Sequence, residues 1–521
     1  MPRIGHGAAI TVDEIRAAAA AVAERSAGVA LAFAAVTPAD PSRFDYLFPM
    51  LQNDPGALLP QSAATVEHLK RLGRAMRDTA SEDENNSGIP AAYTYLGQFI
   101  DHDVTLETVS ATLPQLLAPD LAPMSIDQVK ATLFNTRTAT LDLDSVYGVP
   151  APRIGPRMTI GAVSATGSAD PPLQRPAGKG DDNDLPRDGR SEDPRFDRSA
   201  LIGDPRNDEN TIIAQLHLAF LLAHNALIDR GWSFQDARRL LRQHYQWMVL
   251  HDFLKRVCDP AIVDRVIKEG PRFYKAMEEP FFLPIEFSVA AYRFGHSMIR
   301  ANYNFNVNFA VPGDIPASLG LLFTFTALTG QLGPGGGQFD TLPENWIIEW
   351  ERFLPANVNL ARRLDTHLVE PLFELTNTLG EPETEGGEDA KRLAVRNLLR
   401  GYLLRMPTGQ GVATALGLTA MTPAEIETAA NSDEQAAILR ESGFNARTPL
   451  WYYILAEANG AASKGDRLGA VGSTLLAEVF VGLVQRSEDS ILRSKHPWEP
   501  TLGTKGRFDL PDLLRLAGRL S

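Results

Sequence analysis

The chain has 521 residues, 44% hydrophobic and 22% charged, which is enough apolar material for a large core and, by length alone, roughly two to four domains. A formal net charge of -14 and a pI near 5.3 argue against nucleic acid as the main partner. The single cysteine, Cys258, excludes an intramolecular disulfide and any cysteine-built zinc or iron–sulfur site, so a metal centre would use His, carboxylates and carbonyls.

The N-terminus lacks a basic segment followed by an apolar one, so no signal peptide is evident. Thr11–Glu14 reads instead as a capping box opening an Ala-rich helix, interrupted by Glu24 and Arg25. Residues 1–40 are therefore expected to be a helical arm, and residues 41–51 (PSRFDYLFPML) an aromatic anchor laid on the surface. No uninterrupted apolar run reaches the ~18 residues of a membrane span. The expectation is no membrane span, and a cytoplasmic location or export by a non-classical route.

Residues 64–80 look helical, and 83–90 (DENNSGIP) read as a turn. Next comes Tyr95–Glu107, YLGQFIDHDVTLE. On a helix, Gln98, Asp101 and His102 share one face, while Asp103 is rotated about 100° further round. That face carries an amide, a carboxylate and a base, and a buried His–Asp cluster needs partners or a metal. Residues 138–148 (TATLDLDSVYG) alternate oxygen-bearing and apolar side chains: Thr138, Thr140, Asp142 and Asp144. In an extended loop these oxygens fall on one side, a set that suits calcium, although from this segment alone an Asp-rich turn before a strand or helix is the simpler reading.

Residues 165–200, rich in Pro, Gly, Asp and Arg, read as an irregular exposed connection. GDPRNDEN (203–210) leads into a long helix, with Arg206 and Glu209 three apart near its start. His217 and His224 on that helix are expected to be structural, each paired to a carbonyl or carboxylate. Helices are expected over 234–258 and 260–277, and a core helix over 287–299 containing Arg293, Gly295 and His296. A glycine there is a poor helix former whose value is close approach. His296 taken alone is either a satisfied core histidine or a ligand. GPGGGQ (333–338) and the acidic run 380–389 read as exposed loops. Helices follow over 393–405, carrying Asn397, Arg400 and Arg405, and over 448–458 and 468–484. With no repeat and few strand signals, the chain reads as one large, mainly α domain over 41–521.

Five motifs, GQFIDHD, TATLDLDSVYG, GDPRNDE, YRFGH and NLLRG, occur in an order that resembles the animal-type haem peroxidases of the peroxidase–cyclooxygenase superfamily, its bacterial members most of all. The resemblance covers roughly residues 40–485. It implies a haem b between two histidines: His102 as the distal base, His296 as the proximal iron ligand. It further implies Asn397 as acceptor of the proximal imidazole N–H, and Arg293 and Arg400 as propionate partners. Arg206 and Gln98 would complete the distal site, and Asp101 and Glu209 match carboxylates that become ester-linked to haem in many members. A methionine that adds a third link in some members is Asn210 here. Asp103, Thr138, Thr140, Asp142 and Asp144 match the ligands of a calcium ion.

The implied activity is reduction of hydrogen peroxide in response to oxidative stress. Iodide, bromide, thiocyanate or a phenol would then be oxidised through a ferryl intermediate. Fatty-acid dioxygenases of the same superfamily use a tyrosine three residues before the proximal histidine. That position is Arg293 here, with Tyr292 one residue earlier. A non-haem metal protein using Asp101, His102 and Asp103, and a haem-free binding module, are the remaining readings.

Overall fold

The computed structural model describes residues 42–521, apart from 82–83, 108–110, 149–152, 169–172, 193–196, 311–314, 325–338, 355–357 and 375–386. The expected N-terminal arm and the 333–338 loop lie outside the described residues, as does most of the 380–389 run.

Helices dominate. They include α1 (Ala63–Ala75), α2 (Ala92–Val104), α3 (Thr211–Asp229), α4 (Phe234–Met248), α5 (Pro260–Glu269), α6 (Leu393–Leu403), α7 (Leu450–Asn459) and α8 (Ala470–Arg486). Short polar residues start several of them: the side chains of Ser62, Asn210 and Ser233 each accept a backbone N–H of the first turn. α5 stops eight residues short of the expected 277, because Gly270 adopts φ +83 and Pro271 follows it. Helices at Pro423–Ala429, Asp433–Ser442 and Leu510–Leu516 were not anticipated.

α2, α3 and α4 pack through an aromatic cluster. Phe99 and Phe220 stack with centroids 4.4 Å apart, and Tyr245 meets both edge-on at 6.1 and 5.8 Å. All three are fully buried, and each such pair adds about 0.5–1.5 kcal/mol beyond its area burial. Among the described residues α3 is the one helix long and apolar enough to cross a membrane, but 83% of its apolar window is buried, which makes it the central core helix.

Strands are few and short. Ser42–Asp45 lies between Phe134–Asn135, antiparallel, and Phe282–Pro284, parallel. Asn86–Pro90, expected as a turn, pairs antiparallel with Leu360–Arg362. The aromatic anchor is not on the surface: Phe44, Tyr46 and Phe48 are buried. The Glu286 carboxylate accepts the N–H groups of Leu47 and Phe48 at 2.8 and 3.1 Å, which draws that segment into the core. Burial pushes the Glu286 carboxyl up to about 7.

The expected helix over 287–299 is wound differently. Glu286–Ala290 forms a π-turn and Ala291–Met298 a 3-10 helix, divided at Ala290 (φ -125, ψ -69). The Arg293 carbonyl accepts the Trp451 indole N–H from α7 at 3.2 Å, a bond made outside the segment's own ladder. In 3-10 winding, residues three apart eclipse one another, so Arg293 and His296 stand on one face.

Candidate active site

α2 places the distal residues as the helical phase requires. Gln98, Asp101 and His102 face the Pro205–Asn210 segment, and Asp103 faces the 138–148 loop. His102 is fully buried, and its Nδ1 lies 2.8 Å from Asn207 Oδ1. The other end of that amide, Nδ2, lies 2.9 Å from His217 Nδ1. Gln98 Nε2 donates to Glu209, and Gln98 Oε1 accepts from Asn210 at 3.3 Å. Asp101 accepts the Thr105 hydroxyl at 2.8 Å, and burial raises its carboxyl above the usual range despite the nearby Arg206 and Arg293.

Arg206 opens this segment at the 3-10 turn Pro205–Asp208. Its Nη2 donates to Asp204 at 2.7 Å and to the carbonyls of His102 and Thr105 at 3.0 and 2.5 Å. Those carbonyls lie at the C-terminal end of α2, where a cation is favoured. Asp204 is completely buried, and Arg137 donates to it from the other side. Burial alone would raise the Asp204 carboxyl, but Arg137 and Arg206 outweigh it and hold it well below the usual carboxylate range.

Asp103 organises the loop that follows Arg137. Its two oxygens accept the N–H groups of Leu143 and Ser145 at 3.2 and 3.1 Å. Ala139 and Leu143 take left-handed φ values of 52 and 56, so the loop is tightly wound at two non-glycine positions. Thr138 donates to Asp144, and its hydroxyl lies 3.0 Å from that of Thr140. Burial and the charges of Asp144 and Asp142 push the Asp103 carboxyl up to about 8. Gly203 abuts the same loop, where a Cβ would collide with the Asp144 and Ser145 carbonyls. Among the described residues no group of three or more His, Cys, Asp or Glu side chains is arranged to hold a metal ion. Asp142 also reaches the C-terminal region, where its Oδ2 accepts the Glu488 N–H at 3.4 Å, and its Oδ1 is buried without a hydrogen-bond partner.

On the proximal side His296 Nδ1 lies 3.0 Å from Asn397 Nδ2, and Asn397 Oδ1 accepts from Arg293 Nη1 at 2.8 Å. The amide is turned opposite to the sequence expectation, in which Asn397 accepts the imidazole N–H. The reason is Arg293, which can only donate and so claims the oxygen. Arg400 and Arg293 both approach Glu107, just past the end of α2, at 2.6 and 3.6 Å. The distal and proximal halves thus meet at one carboxylate. Beside His296, a Cβ on Gly295 would meet nothing within 4 Å, so the backbone borders open space.

His224 is structural as expected, bonded to Tyr147 at 2.9 Å and the Pro156 carbonyl at 3.0 Å. His217 is not: its Nδ1 partner is the Asn207 amide, which makes both part of the distal network. The sequence offered one hint, the asparagine directly after Arg206.

The family model for animal haem peroxidase matches residues 119–319. Residues 119–319, about two fifths of the chain, therefore carry the sequence pattern of an animal haem peroxidase domain. It is 27% identical over 309 residues to a peroxidase-like protein of Margaritifera margaritifera, a match covering 51% of this chain and 37% of that one. It is also 27% identical over 243 residues to human thyroid peroxidase, covering 44% of this chain and 24% of the relative. The chain therefore spans well under half the length of both relatives. Among solved structures it superposes on peroxidase A of Dictyostelium discoideum with a TM-score of 0.55 at 16% identity, covering 86% of this chain and 88% of that one. A fatty acid alpha-dioxygenase of Oryza sativa bound to palmitic acid gives a TM-score of 0.54 at 14% identity, covering 83% and 75%. These likenesses establish the mainly α peroxidase fold.

The buried charges make one prediction about stability. Arg206→Ala strips Asp204 of one of its two guanidiniums and is expected to lower the unfolding free energy by about 3–5 kcal/mol. Urea unfolding measures this; a loss under about 1 kcal/mol would mean that Arg137 alone compensates Asp204.

Proposed function

We propose that this chain is a haem-dependent peroxidase that reduces hydrogen peroxide and oxidises a small anion, such as iodide, bromide or thiocyanate, or a phenol. The observation that carries the reading is that two buried histidines are each held by an amide: His102 by Asn207, with Arg206 on its backbone carbonyl, and His296 by Asn397, while Arg293 and Arg400 reach Glu107 just past the helix that carries His102.

The residues fit the group. Open space borders Gly295 beside His296, and Arg293 and Arg400 already converge on a carboxylate, the chemistry of a haem propionate. Haem, when bound, supplies a redox-active iron able to cleave a peroxide O–O bond. His296 would hold that iron through Nε2, which puts the imidazole proton on Nδ1. If Arg293 turned from Asn397 to a haem propionate, a half-turn of the amide would present the acceptor that proton needs. Asp101 and Glu209 are the carboxylates that would form ester links to haem.

His102 Nε2 takes a proton from the peroxide and returns it to the oxygen that leaves as water. The Arg206 guanidinium, fixed by Asp204, lowers the cost of negative charge developing next to it. Gln98 orients a water or anion. Calcium suits the all-oxygen set of Asp103, Thr138, Thr140, Asp142 and Asp144, and the unpartnered Asp142 Oδ1 is an oxygen such an ion would satisfy. Bound there, the ion would tie the loop to α2 beside His102.

Four outcomes are expected. The purified protein shows a Soret band and turns over peroxide with iodide, bromide, thiocyanate or a phenol. His102→Ala keeps the band but loses turnover at least about a hundredfold. No band at all, or oxygen uptake with linoleate in place of peroxide turnover, would displace the reading. Acid-acetone should leave the haem on the protein, whereas release of unmodified haem would rule out ester links through Asp101 and Glu209. A calcium chelator should lower the melting temperature, and calcium should restore it; an unmoved transition would remove calcium.

A further inference from the structure

Asn207 and His217 have no place in the proton chemistry just described, yet both are fully buried and bonded in series to its base. An amide is polar in a fixed sense: one end only accepts, the other only donates. Asn207 turns its oxygen to His102 Nδ1 at 2.8 Å and its nitrogen to His217 Nδ1 at 2.9 Å. The first contact requires a proton on His102 Nδ1. The second requires that His217 Nδ1 carry a lone pair, so its own proton sits on Nε2.

His217 can fill that role throughout the working range. Burial lowers its pKa to about 3, so the ring stays neutral with one nitrogen bare, and the Asn207 N–H facing Nδ1 makes that nitrogen the acceptor. Its Nε2 is buried without a hydrogen-bond partner. A core position facing Phe99 at 6.0 Å would be better filled by an apolar ring if packing were its only task.

We propose that Asn207, oriented by His217, is the positioning residue that locks His102 in its Nδ1-protonated tautomer, leaving Nε2 as the proton-accepting atom. This rests on the peroxidase reading for its purpose, though not for its existence. Neutral His102 donates to Asn207 through Nδ1–H, and the protonated ring donates through the same N–H. Proton uptake and release at Nε2 therefore leave the Asn207 and His217 bonds intact. With the amide reversed, the proton would sit on Nε2 and the atom needed as base would be blocked.

The test is nitrogen NMR of the full-length protein labelled with 15N at histidine, as purified, with any haem iron held in the diamagnetic ferrous–carbonyl state. His102→Gln identifies the His102 signals. Wild type is expected to carry its His102 proton on Nδ1. Asn207→Leu should shift it to Nε2 or to a mixture, and Asn207→Asp, which keeps an acceptor at the same place, should restore Nδ1. His217→Leu frees the amide to rotate and should also give a mixture. In steady state, kcat/KM for peroxide should fall about 10- to 100-fold in Asn207→Leu, with an unchanged Soret band, and recover in Asn207→Asp. Should Asn207→Leu fail to fold, the Asp and His217→Leu variants carry the comparison.

A wild-type His102 protonated on Nε2 overturns the proposal. So does an Nδ1 tautomer that survives both Asn207→Leu and His217→Leu. Because the tautomer is read without turnover, a protein with no haem band would sink the peroxidase reading and leave this result standing. A peroxidase with the wrong tautomer would do the reverse.

Discussion

One buried carboxylate, Asp204, holds the distal half of the site together. An ionised group with no exposure is tolerable only when its charge and lone pairs are met, and here two guanidiniums meet them. Each brings a different piece of chain. Arg137 stands at the head of the 138–148 loop, and Arg206 grips the carbonyls of His102 and Thr105. Asp103 closes the same circuit from α2, accepting the loop's N–H groups. The His102 imidazole is thus held three times over. Its backbone is held by Arg206, its neighbour by the loop, and its ring by Asn207. A side chain held in this way keeps a fixed geometry.

The proximal side reaches a similar end by backbone winding. In an α-helix, residues three apart diverge by about 60°, whereas in a 3-10 helix they eclipse. Over Ala291–Met298 the tighter winding brings Arg293 and His296 within reach of a single amide, Asn397, which bonds both. The preceding π-turn takes up the slack in the opposite sense. Changes of helical pitch of this kind cost regular hydrogen bonds and are found where side chains must be re-aimed.

Much of this was legible in the residues, and the failures have physical causes. The face shared by Gln98, Asp101 and His102 follows from helical spacing and appears as such. The pitch change at 286–298 leaves no periodic trace, because eight residues fit several periods equally. Residues 41–51 looked like a surface anchor because nothing nearby covers them; Glu286, some 240 positions away, pulls them inward. His217 reads as an ordinary core histidine because its amide partner lies in the preceding segment and becomes relevant only once His102 packs against it. The unanticipated helices at 423–429 and 510–516 did carry local signals, the capping boxes Thr422–Glu425 and Asp509–Asp512.

The fold does not separate peroxidase from dioxygenase, since solved structures of both kinds superpose on this chain. The proximal segment speaks to the choice. A hydrogen-abstracting phenoxyl needs a tyrosine that faces both cofactor and substrate. Tyr292 instead donates its hydroxyl to the Gly97 carbonyl at 3.0 Å. Its ring stacks on Phe287 at 5.1 Å and is edged by Phe253, Phe294 and Phe480. A phenol bound this way serves packing between α2 and the proximal segment. The residue in phase with His296 is Arg293, a cation that recognises carboxylates and yields no such radical. Together with Arg206 and Arg400 it gives the site a set of guanidiniums suited to carboxylates and to developing negative charge, in keeping with the proposed peroxidase reading.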